Sequence, residues 1–165
     1  IYIFIATAIF GFLFRSKLSF LDEIIKEIMM KTVDLNAIEM VFFIMQNNML
    51  SALLSIALGI FLGIFPIVSS ISNGVLLGYV LGRVYDLAGL LSWWRLLPHG
   101  IFELPAIFIS FGLGIKLGMI LFTQKNKMKE FKRRFYNSAN VFLMIIIPLL
   151  IVAAIIEGIL IVLLG

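Results

Sequence analysis

The sequence predicts an all-α polytopic membrane protein: one bundle of about five transmembrane helices, with an amphipathic interfacial helix. Three observations carry this. Of the 165 residues, 62% are hydrophobic and only 13% charged, against roughly 45–50% and 25% in soluble domains. The apolar residues gather into runs of spanning length. Most of the charges fall in the short segments between those runs. A soluble chain this short leaves much of its surface exposed, so lipid must cover the excess apolar area.

A spanning helix needs about 20 mostly apolar residues. Residues 1–14 are apolar, begin with Ile and are followed by no small-residue cleavage site, so they read as the tail of a first span rather than a signal-peptide core. The second run covers 38–65, closed by Pro66. The third covers 67–81 and can extend through 82–91. The fourth covers 98–122 and the fifth 140–164. Together they form one membrane domain.

The connectors are informative. Within 19–33, Phe20, Leu21, Ile24, Ile25, Ile28, Met29 and Val33 recur at helical spacing. Asp22, Glu23, Lys26, Glu27 and Lys31 take the other face. Ser19 reads as the N-cap. Such a helix lies on the membrane surface or packs over the bundle. Trp93, Trp94 and Arg95 suit headgroup depth, and Pro98 suits a first helical turn. The segment 123–136 reads as a loop. Within it, Lys125, Lys127, Lys129, Lys132, Arg133 and Arg134 face one acid, Glu130, which favours the cytoplasmic side. Arg15, Lys17, Lys26, Lys31, Arg83 and Arg95 fall on the opposite side, and Lys116 lies within the fourth span. The denser basic segment decides the orientation, and the C-terminus is then expected outside. A basic loop beside a span does not call for nucleic acid.

Hydrophobicity cannot hold helices together within lipid; small residues do so by letting backbones approach. The second span carries Ser51, Ser55, Gly59 and Gly63, the third Gly74, Gly78 and Gly82, and the fourth Ser110, Gly114 and Gly118. Spacing by four keeps each set on one face. These tracks fit packing within the chain, a second copy of it, or another membrane or envelope protein.

Polar side chains inside spans need a partner or a task. Asn47, Asn48, Asn73, His99, Glu103 and Glu157 stand out. His99 and Glu103 are four apart, within reach of each other on a helix. Pro105 removes a backbone donor and frees the carbonyl of Ile101, which favours a kink. Asn48, Asn73, His99 and Glu103 form the expected polar cluster. It serves as structural hydrogen bonding, a proton or ion path, a divalent-metal site on His99 and Glu103, or an acid/base pair. One His and no Cys make a conventional zinc site improbable. No cofactor motif is present: Walker A, HExxH, GxSxG and dinucleotide fingerprints are all missing.

The run Leu97-Pro98-His99-Gly100-Ile101-Phe102-Glu103-Leu104-Pro105-Ala106 resembles the signature of the stage II sporulation protein M (SpoIIM) family. Asn48, Ala52, Gly59 and Gly63, then Asn73, Gly74 and Gly78, extend the resemblance. It implies about five spans and a membrane scaffold for envelope-remodelling partners rather than an enzyme. A small permease component using the polar cluster and an intramembrane metal-dependent hydrolase are the competing expectations.

Overall fold

A computed structural model describes residues 1–95, 97–123 and 126–164; the side chains of Ala37, of 94–99 and of 161–164 lie outside the description. Among the described residues the chain is about 90% helical, without strands. The helices are α1 (Tyr2–Leu13), α2 (Leu21–Thr32), α3 (Ala37–Ala57), α4 (Ile64–Ala88), α5 (Leu97–Gly118), α6 (Lys127–Val141) and α7 (Ile147–Leu164).

Among the described residues four stretches are long and apolar enough to cross a membrane: Ile38–Ile60, Ile64–Ala88, Gly100–Phe122 and Lys127–Leu160. At 12 residues, α1 is about 18 Å long, shorter than a hydrocarbon core of roughly 30 Å.

Local chemistry sets the boundaries. A capping box starts α3: Asn36 Oδ1 accepts from the Ile38 and Glu39 amides, and Glu39 Oε2 accepts from the Asn36 amide at 2.9 Å. The α3–α4 turn is tight. Leu62 (φ 57°) and Gly63 (φ 70°) are both left-handed, a conformation glycine adopts freely and leucine rarely. Pro66 therefore does not close the second span. It stands in the first turn of α4, where a missing amide hydrogen costs nothing. The third span accordingly has 25 residues and starts before Pro66. Ser19 does not cap α2; Phe20 occupies that position, with no side-chain cap bond.

The basic run is not a loop. From Lys127 onward it forms α6, which continues into α7 through a π-helical turn at Phe142–Ile146. Pro148 follows two residues later. It lacks an amide hydrogen and crowds the preceding turn, and a locally widened helix accommodates this. Arg134 fastens α6 to the end of α5, donating from Nη1 to the Lys116 carbonyl at 2.8 Å. A cation there meets carbonyls left open at a helix C-terminus.

Two helix pairs form the frame. On α4, a Cβ placed at Gly74 would meet Thr7 and Phe4 of α1, and one at Gly78 would meet the Ala8 backbone. In return, a Cβ on Gly11 would meet the Val75 carbonyl. On α3 and α5, a Cβ at Gly59 would meet the Gly114 backbone, one at Gly114 the Ser55 carbonyl, and one at Gly118 the Gly63 amide. Backbones thus touch directly in both pairs. The core between α3, α5 and α7 holds Ala52, Ile56, Ala106, Leu117, Ile146 and Leu150. Phe4 of α1 reaches Ile107 and Phe111 of α5 and joins the two halves.

Candidate functional site

Among the described residues a dense set of polar contacts lies where α1 ends, α2 begins and α4 finishes. Arg15 follows α1 directly. Its Nε donates to Asp86 Oδ2 and its Nη2 to Asp86 Oδ1, both at 2.7 Å, while Nη1 donates to the Phe12 carbonyl at 2.9 Å. This two-pronged match of guanidinium and carboxylate fixes direction as well as distance. The bond to Asp86 raises the Arg15 pKa above its ordinary value, so the guanidinium stays charged. Its Cζ stands 5.0 Å from the Phe12 ring centre. Trp93 meets the same ring edge-on at 5.8 Å and donates its indole N–H to the Leu81 carbonyl.

About two turns before Asp86 on α4, the buried Tyr79 donates its hydroxyl to Asp22 Oδ1 at 2.7 Å. Arg83 donates to Asp22 Oδ2 at 3.2 Å. Tyr79, Arg83 and Asp86 are separated by four and three residues, so they share one side of α4. Two cations and two anions neutralise each other there. They also set the place of α2, because Asp22 lies in its first turn and the neighbouring Leu21 is buried. Beyond Leu21, α2 is largely uncovered: Glu23, Lys26, Glu27 and Lys31 are exposed, and so are Ile24, Ile28 and Met29 of its apolar face.

Sequence reasoning missed this assembly. Helical spacing puts Asp22 on the polar face of its helix, and Arg15 and Arg83 bear in the sequence only on orientation. Their partners lie 57 to 71 residues away, beyond any local pattern. A usable signal was present: aromatic residues and opposite charges gathered at the ends of α1 and α4.

The expected cluster of Asn48, Asn73, His99 and Glu103 is placed in part. Asn73 is half-buried and donates to the Ser69 carbonyl of its own helix at 2.8 Å. Asn48 is half-buried on α3, and among the described residues no hydrogen bond joins it to Asn73. Glu103 is half-buried on α5 and is partnered. The His99 side chain lies outside the described residues. α5 runs on through Pro105, which is exposed. Glu157 is half-buried on α7. Among the described residues no group of three or more His, Cys, Asp or Glu could hold a metal ion.

The small-residue tracks are brought together. Ser55, Gly59 and Gly63 meet Gly114, Ile115 and Gly118, while Gly74, Gly78 and Gly82 meet α1 and Arg15. Ser51 is half-buried one turn before Ser55. Ser110 is buried and donates to the Ala106 carbonyl at 2.8 Å.

Four long apolar helices, packed through glycine and edged by aromatic and charged groups, define a multi-pass α-helical membrane protein. Within that class, the chain belongs to the stage II sporulation protein M family, whose model matches residues 1–160. No curated protein and no solved structure matches it.

Proposed function

We propose that this chain is a non-catalytic membrane scaffold, which assembles envelope- or membrane-remodelling partners on the face formed by α2. One observation carries the reading: the first turn of α2 is tied to the bundle, with Leu21 buried and Asp22 bonded to α4. Tyr79 and Arg83 both hold Asp22, so the exposed charges nearest the start of α2, Glu23 and Lys26, stand close to a defined point on the spans. A surface ordered in advance binds with less entropy to lose. Membership of the SpoIIM family supports the same reading. We count α1 as a fifth membrane segment because it seats against α4 along its length.

The basic end of α6 is the cytoplasmic side in this reading. Lys127, Lys129, Lys132, Arg133 and Arg134 crowd one short stretch beside a span. On the opposite side Arg15 and Arg83 are committed to carboxylates, which leaves them less able to engage anionic headgroups. The platform of α2 then faces out of the cytoplasm, where envelope partners act.

Reconstitution separates the scaffold from a transporter built on Glu103 and Asn73. The purified chain in liposomes is expected to give no proton or ion flux above empty vesicles, and Glu103→Gln is expected to change nothing. A flux that wild type supports and a folded Glu103→Gln protein lacks would establish the transporter instead.

A further inference from the structure

Among the four candidate spans, α3 is the most open. Only 17% of its most apolar window is buried, against 44% for the span containing α5. Phe42, Gln46, Leu50, Leu53 and Ala57 are all exposed, and their spacing of three and four sets them along one face. Gln46 and its exposed neighbour Asn47 are out of place there. The span Ile38–Ile60 has its midpoint at Met49, so both amides lie within about 5 Å of it along the axis. A carboxamide facing hydrocarbon at that depth leaves donors and an acceptor unsatisfied.

The surroundings of Gln46 are shaped. It lines an open groove of about 420 Å³ with Phe42, Met45, Met49, Leu50, Leu53 and Phe142. Phe142 comes from the π-helical turn that links α6 to α7. The exposed row of α3 is thus one wall of the groove, and Gln46 is part of that wall.

We infer that this face of α3 is a homodimer interface, with Gln46 of one copy hydrogen-bonded to Gln46 of the other. Three considerations select a second copy as the occupant. A carboxamide carries both donors and an acceptor, so it is complementary to itself. All copies of one chain insert with the same orientation, so a two-fold axis along the membrane normal brings Gln46 opposite Gln46 at equal depth. The same axis lays the exposed row of each copy, Phe42 and Leu53 included, against that of the other, with Met45 and Met49 beside it. Methionine adapts readily to such contacts. The inference rests on α3 and does not depend on the scaffold reading.

The chain contains no cysteine, which makes single-cysteine cross-linking clean. Oxidation bridges cysteines whose Cα atoms come within about 7 Å. The full-length purified chain is reconstituted in liposomes at low protein density. Phe42→Cys and Leu53→Cys, on the proposed face, are expected to yield covalent dimers. Val68→Cys on α4 and Ile155→Cys on α7, both exposed elsewhere, are expected to yield none. Adding Gln46→Leu to the Leu53→Cys chain should weaken association by roughly threefold to twentyfold, the range of an interhelical polar contact in a bilayer. Gln46→Asn should retain most of the dimer. Melting of the Gln46 variants checks that the monomer still folds. Equal cross-linking at all four positions would mean random collision and overturn the interface. So would a monomer with a lipid-filled groove, or cross-linking in native membranes only to a protein of different mass. A dimer indifferent to Gln46→Leu would overturn the role of the amide.

Discussion

Tyr79 shows how much one side chain can decide. It is buried, yet its hydroxyl reaches Asp22. A buried hydroxyl must be bonded, and here the acceptor also anchors a separate helix. Tyr79→Phe removes the donor and keeps the ring. We expect a loss of about 1.5–3 kcal/mol in stability, the range for a bond to a charged group, read as a lower detergent melting temperature, together with faster hydrogen exchange in α2. Unchanged exchange in α2 would show that Leu21 alone holds the helix. At this scale the sequence was least legible. The type and location of Asp22, Arg15 and Asp86 were plain, but pairing across 57 to 71 residues is a product of the fold. Asn48 and Asn73 illustrate the converse. Both stood out as polar residues in spans, yet Asn73 satisfies itself on the preceding turn of its own helix.

At the scale of elements, the glycines separate into those that carry the packing and those that do not. A methyl group at Gly78 would strike the Ala8 backbone, which cannot move without displacing α1 from α4. At Gly112 nothing lies within 4 Å. Gly78→Ala is therefore expected to cost about 1–3 kcal/mol, the range for overpacked sites, whereas Gly112→Ala is expected to be neutral or slightly stabilising. Melting of the two variants side by side checks this, and equal melting would refute close packing of α1 on α4. The tracks themselves were legible because spacing by four is written in the sequence; which helix each one meets was not. Helix existence followed from hydropathy, while several boundaries did not. Hydropathy runs unbroken through Phe61, Leu62 and Gly63, and only the left-handed backbone there marks the turn. The charge of the α6 segment suggested a loop because charge says nothing about helicity. Asn126 gives α6 no side-chain cap bond that would mark its start.

For the whole molecule, the two membrane faces differ in kind. One carries α2 and the neutralised group of Arg15, Asp22, Arg83 and Asp86; the other carries the start of α6, where five cations in eight residues meet one acid. This contrast fixes the expected orientation. A membrane-impermeant maleimide applied to intact cells should label a cysteine at Glu23 but reach one at Lys129 only after permeabilisation. The reverse pattern would invert the molecule and place the α2 platform in the cytoplasm. The membrane class and the family were legible from composition and from the Leu97–Ala106 run. The group of Arg15, Asp22, Arg83 and Asp86 was not, because it exists only once α1, α2 and α4 have come together.

The central claim is that the exposed charges of α2 recruit a partner while the bundle beneath stays unchanged. The most direct measurement is capture of the tagged full-length chain from its native membrane in mild detergent. Wild type is compared with a Glu23→Lys/Lys26→Glu variant by quantitative mass spectrometry. The account predicts a stoichiometric envelope or membrane protein with wild type, and at least a tenfold loss of that protein with the variant at an unchanged melting temperature. Equal recovery with both chains, or no stoichiometric partner with wild type, would contradict it.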